Sequence, residues 1–184
     1  MRKIVAAINM TLDGFCDHTA GIPDEELHDH YTELVRNGDA MLYGRITYEL
    51  MKFWKPLLIN LSGEKSMDDF AIAIDAIPKI VFSNTLQQTD WGSATLATQP
   101  IEEVVAEYKK QSGKDILIGS RSLILQLLNL NLIDELQICI HPVVIGKGLP
   151  LFDKINDRTI LKLLKTKTFD SGAIILYYTR ADKE

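Results

Sequence analysis

Hydrophobic and polar positions alternate between two spacings along this chain. Residues 3–9, KIVAAIN, are a short apolar run with polar neighbours, the pattern of a buried strand. The next stretch, TLDGFCDHTAGIP, lacks a period and contains Asp13-Gly14, which predicts a loop. In DEELHDHYTELVRNG the spacing becomes helical. Leu27, Tyr31, Leu34 and Val35 share one face, and Gly38 is the expected stop. Strands are predicted again at 40–43, 79–83 and 115–119, with a further candidate in SATLAT. Between them ITYELMKFW, GEKSMDDFAIAIDAI, PIEEVVAEYKKQSG and SRSLILQLLNLN read as helices. The third is the clearest: a proline opens it, glutamates come early, lysines come late, and Gly113 closes it. DELQICIHPVVI is a strand rich in β-branched residues. TILKLLKTKTF and AIILYYTR then resemble an antiparallel pair split by Asp170-Ser171-Gly172.

Alternating strands and helices predict an α/β protein: a mostly parallel central sheet with helices on both faces and an antiparallel C-terminal edge. With 184 residues and no repeat or linker, residues 1–184 are expected to form a single domain. The composition is that of a soluble globular protein, 46% hydrophobic and 24% charged. A formal net charge of −5 argues against non-specific nucleic-acid or anionic-membrane binding. No apolar run reaches membrane-spanning length, and the first apolar stretch breaks at Asn9, too soon for a secretory signal. Two cysteines, Cys16 and Cys139, make no disulfide framework, so a reduced, cytoplasmic setting is expected.

In parallel sheets, ligands bind beyond the carboxyl ends of the strands. Three predicted strand exits carry residues suited to phosphate: Gly44-Arg45, Ser83-Asn84 and Gly119-Ser120. A glycine at a strand exit more often only turns the chain. Three such exits together point to one extended ligand with several phosphates.

These segments resemble the dihydrofolate reductase-like fold, most closely the reductase domain of riboflavin biosynthesis and its uncharacterised bacterial relatives. IVAAINMTLDGF looks like the first strand and loop, YGRITYE like the segment opening the helix after the second strand, and ILIGSRSLILQLL like the turn and helix under a pyrophosphate. LIDELQICIHPVVIGKGLPLF is the most specific stretch and favours the riboflavin-type branch. The resemblance implies an NADPH site. Gly44, Arg45 and Thr47 match the segment meeting the adenosine phosphates, and Ser83 and Asn84 the pair beside the 2′-phosphate. Gly119, Ser120, Arg121 and Ser122 match the pyrophosphate turn, and Ala7 the strand residue whose backbone faces the nicotinamide amide. The family commonly has two glycines where this chain has Gly119-Ser120, and Ser120 can offer its hydroxyl to a phosphate instead. VIGKGLP is no P-loop, since it has neither the spacing nor the hydroxyl.

Hydride transfer needs a proton as well as a cofactor. Matching at Pro23 puts Glu25 in the family's carboxylate position, whereas the helical face favours Asp24; both are candidates. Acids at a helix start also serve simply to complement its dipole. His18, in a loop, is a second kind of donor, or a solvated loop histidine. His28 and His30 lie about 200° apart on a helix and cannot share a metal ion. His141, before Pro142, reads as structural, and Cys16 becomes reactive only if exposed beside a cation.

The expected function is NADPH-dependent reduction of a small pterin- or pyrimidine-like heterocycle or a carbonyl compound. The alternative is a non-catalytic nucleotide- or pterin-binding protein on the same scaffold. The resemblance also implies a homodimer, with LPLF (149–152) near its interface.

Overall fold

The computed structural model describes residues 2–181. In chain order it contains β1 (Ile4–Thr11), α1 (Glu25–Arg36), β2 (Gly38–Gly44), α2 (Arg45–Met51), α3 (Lys65–Ala76), β3 (Lys79–Phe82), β4 (Ala94–Leu96), α4 (Ile101–Lys110), β5 (Asp115–Ile118), α5 (Arg121–Asn129), β6 (Glu135–His141), β7 (Leu161–Thr168) and β8 (Ile174–Arg180). One eight-stranded sheet runs in the order β4-β3-β2-β5-β1-β6-β8-β7. The pairings from β4 to β6 are all parallel, and β8 is antiparallel to both of its neighbours. The expected antiparallel edge is present, with β8 inserted between β6 and the terminal β7.

The two-residue period of the strands sorts the core into layers. Ile4 and Ala6 face Val104, Val105, Leu123, Ile124 and Leu127 of α4 and α5. Val5, Met41, Tyr43 and Leu117 face Val35 of α1 and Ile74 of α3. Further along, Cys139, Ile175 and Tyr177 pack with Leu27 of α1 and with Phe169.

Several boundaries differ from the sequence pattern. The helix expected over 46–54 is an α-helix only to Met51 and then tightens into a 3₁₀ segment, Lys52–Leu58, around Pro56. Gly38 does not stop α1. Asn37 caps that helix, and Gly38 opens β2, where an added Cβ would lie 2.8 Å from Leu117 Cδ1. Close packing, not helix termination, demands the glycine. α4 ends at Lys110, three residues before Gly113. No helix among the described residues is long and apolar enough to cross a membrane.

Candidate active site

The strand order places the C-terminal ends of β3, β2, β5, β1 and β6 side by side. The three predicted phosphate segments therefore sit on adjacent exits, and the first strand lies next to them. At the centre, the Gly44 N–H donates to Ser120 Oγ at 2.8 Å, and that serine is buried. A Cβ on Gly44 would lie 3.1 Å from Ser122 Oγ and 3.7 Å from Ser120 Oγ. The glycine keeps space where two hydroxyls converge; its φ of −77° is open to any residue. A Cβ on Gly119 would lie 3.8 Å from the Ala7 carbonyl oxygen, which brings the β5 exit against β1.

Ser120 occupies the N-cap position of α5, yet its hydroxyl is turned to Gly44 and makes no cap. The first-turn amides of α5 are left without a side-chain acceptor, which suits an anion. On the neighbouring exit Arg45 is exposed, and no ion pair among the described residues engages it. Thr47 is half-buried one residue pair further into α2. Ser83 Oγ accepts from the amides of Thr85 and Leu86 at 3.2 and 3.0 Å, and Asn84 is exposed beside it. These residues form a polar rim with an unpaired guanidinium.

Arg121 is differently employed. Its Nε donates to the Pro150 carbonyl at 2.6 Å and its fork pairs with Asp153. Arg121 pins the 149–153 segment to the start of α5, so its charge is already engaged.

The second half of the site lies beyond β1, against α1 and β6. Asp24 is the N-cap of α1: Oδ1 accepts from Leu27 N and Oδ2 from Ser171 N, both at 2.8 Å. Desolvation opposes its charge, but the donors from Ser171 and Leu27 outweigh that, and the carboxyl titrates below its usual value. Glu25 and His18 are exposed, His18 on a turn whose Asp17 carboxylate accepts from Thr19. Of the three proton-donor candidates, Asp24 has both its oxygens held by backbone amides, whereas Glu25 and His18 are exposed.

A cluster missed by the sequence reading is gathered instead. His141, read there as structural, is buried at the end of β6 and takes part in it. Its Nδ1 accepts from Ile22 N at 3.2 Å, and its Nε2 lies 3.3 Å from Asn9 Oδ1 and 3.8 Å from Cys139 Sγ. Tyr31 OH donates to the same Asn9 oxygen at 2.9 Å. Gly21 makes the loop contact possible, since a Cβ there would lie 3.3 Å from His141 Nε2. Burial lowers the His141 pKa, partly offset by Asp24, and keeps the ring neutral. Burial also raises the Tyr31 hydroxyl well above its ordinary range and pushes the Cys139 thiol up to about 11. Cys16 is likewise pushed up to about 11 by burial, despite the nearby Arg121, so it is a thiol at neutral pH. A faint signal for the cluster was present: Asn9 interrupts the apolar face shared by Val5 and Ala7, and Tyr31 follows Leu27 by four on the inner face of α1.

An eight-stranded sheet with one reversed strand and helices packed against it is the architecture of a dihydrofolate reductase-like α/β protein. The family model for the RibD C-terminal domain matches residues 2–175, and the chain belongs to that family. It is 36% identical to the uncharacterized protein YyaP of Bacillus subtilis (strain 168), over 96% of this chain and 94% of the relative. A putative riboflavin biosynthesis protein from Shewanella sp. PV-4 superposes with a TM-score of 0.73 at 21% identity, covering 99% of this chain and 100% of that one. Dihydrofolate reductase from Enterococcus faecalis, solved with NADP(H), superposes with a TM-score of 0.65 at 15% identity, covering 98% and 97%. At those identities the two structures speak for the fold.

Proposed function

We propose that residues 1–184 form one NADPH-dependent reductase domain that transfers hydride to a small pterin- or pyrimidine-like heterocycle or a carbonyl compound. The observation carrying this reading is the joined rim of strand exits: Gly44 N–H on Ser120 Oγ, the uncapped start of α5, and the unpaired Arg45. Membership of the RibD C-terminal family supports it.

Gly44, Gly119, Ser120 and Ser122 would hold the pyrophosphate, with Arg45, Thr47, Ser83 and Asn84 around the adenosine end. Ala7 would present its backbone to the nicotinamide amide. Arg121 contributes by fixing the loop beside that turn. NADPH, when bound, supplies the hydride. The protein orients it, excludes water and manages the proton. Asp24, Glu25 and His18 are the proposed acids, with Asp24 nearest the buried cluster.

Thermal unfolding of the purified protein during NADPH titration tests the reading. Ligand at 100 times its dissociation constant adds about 2.7 kcal/mol. No shift at millimolar NADPH rules the cofactor out. Light scattering on the same sample tests the homodimer, for which the exposed Leu149 and Phe152 are the proposed contact.

One observation favours a second reading, a binding protein without turnover. Both Asp24 oxygens accept from backbone amides, so the best-placed acid is held as a carboxylate. NADPH binding without oxidation across a panel of reducible heterocycles is the outcome that reading expects.

A further inference from the structure

The cluster around Asn9 fixes hydrogen positions that are ordinarily ambiguous. A backbone N–H can only donate, so Ile22 N–H makes His141 Nδ1 an acceptor. A neutral imidazole with an acceptor at Nδ1 carries its proton on Nε2. Nε2–H therefore donates, and the Asn9 atom 3.3 Å away must be the oxygen. Tyr31 OH donates to that same oxygen. With its oxygen held by two donors, the Asn9 carboxamide turns its NH₂ group the other way. Asn9 is exposed, and no protein acceptor for that NH₂ is found among the described residues. Ala7, two residues earlier on the same strand face, is the residue proposed to meet the nicotinamide.

We infer that Asn9 is a substrate-positioning residue whose fixed NH₂ group donates to a carbonyl oxygen of the substrate, and that Tyr31 and His141 are the positioning residues behind it. This inference rests on the reductase reading for the identity of the pocket. It adds the sign of the recognition: at this point the protein offers donors. The nearby carboxylate, Asp24, already accepts one backbone amide at each oxygen, so its first acceptor positions are spent on the fold. The site therefore selects heterocycles bearing a carbonyl oxygen over the same rings bearing amino groups.

Two fluorescent pteridines of equal size separate the possibilities. Lumazine has carbonyl oxygens at positions 2 and 4, where 2,4-diaminopteridine has amino groups. Each is titrated against the protein with and without millimolar NADPH. Wild type is expected to favour lumazine by about 2- to 10-fold, the worth of one neutral hydrogen bond. Asn9→Asp keeps the shape and the two inner hydrogen bonds but replaces the outward donor with a charged acceptor, and is expected to reverse the preference by about 10-fold or more. Tyr31→Phe removes one of the two donors that hold the carboxamide, leaving His141 Nε2–H alone, and is expected to move the ratio toward one, which a purely structural role would not do. Thermal unfolding of each variant verifies that it is folded. An unchanged ratio in both variants, or no binding of either pteridine to wild type, overturns the inference. Failure of NADPH to bind while the pteridine ratio responds would instead overturn the reductase reading alone.

Discussion

The rim of strand exits proposed for the cofactor and the α1–β6 cluster are built on different plans. At the rim, the Ser83 contacts are local in sequence, and Arg45 is left unpaired. In the cluster the polar groups answer one another: Asp24 with Ser171, His141 with Ile22, and Asn9 with Tyr31 and His141. A rim of free donors suits a ligand with several phosphates and tolerates variation around it. A self-satisfied cluster recognises through the one or two groups it leaves over. On the proposed reading, the first half would set which cofactor binds, and the second what is reduced.

The rim half is broken most directly at Arg45. Arg45→Ala should weaken NADPH by about 10- to 150-fold, since a hydrogen bond to a charged group is worth about 1.5–3 kcal/mol. NADH lacks the ribose phosphate and should change much less. Arg45→Lys should recover part of the loss, because lysine keeps the charge without the fork. The readout is the ratio of the two dissociation constants at one salt concentration. Equal weakening of both cofactors would place Arg45 on the shared pyrophosphate, and no change in either would leave it a solvated side chain at a strand exit.

The contrast also explains what the sequence reveals. Gly44-Arg45, Ser83-Asn84 and Gly119-Ser120 are legible because a strand exit is a local event, marked by an apolar run ending at small or polar residues. The sheet is legible for the same reason, through its two periods. The cluster is different. Asn9 and His141 are 132 residues apart, and Asp24 and Ser171 are 147 apart. Nothing in the neighbourhood of His141 says that Ile22 N–H will meet its ring. Arg121 shows the converse: beside the Gly119-Ser120 turn it looks like a phosphate ligand, and nothing local announces its partners Asp153 and Pro150, some thirty residues on. Gly38 likewise looks like a helix stop until β5 brings Leu117 against it.

Asp24 belongs to the cluster half, and its substitutions sharpen the comparison at a smaller scale. Asp24→Ala removes an N-cap and should cost about 0.5–2 kcal/mol. Asp24→Asn keeps a capping oxygen, but its NH₂ group faces a second donor, Ser171 N–H, so it should lose part of the same stability. Once a substrate is known, the rates separate two roles. Loss of general acid catalysis lowers the rate about 10²–10⁴-fold in both variants. A purely structural Asp24 leaves the rate per folded molecule nearly intact.

The smallest expected effect is a pH dependence confined to the cluster half. His30 of α1 packs edge-on to Phe169 and Tyr177, and its pKa is lowered to about 4 by burial first and then by Lys167 and Lys165. Its unfolded value is about 6.5. The folded state therefore binds fewer protons between those values, and stability falls as pH drops from about 6.5 toward 4. His28 and His141, also lowered by burial, act in the same direction. The capping carboxylate of Asp24, whose pKa is lowered, keeps its contribution until the pH falls below about 4, so the histidine and carboxylate limbs separate. Replacing His30 with phenylalanine should flatten the upper limb. The 1.36 kcal/mol per pKa unit is a ceiling for a side chain that remains partly exposed, so about 1 kcal/mol is expected. Chemical denaturation at pH 7 and pH 5 reads it directly: wild type should lose stability between the two and His30→Phe less. An equal loss in both proteins would move the acid sensitivity away from α1 and onto the other buried histidines.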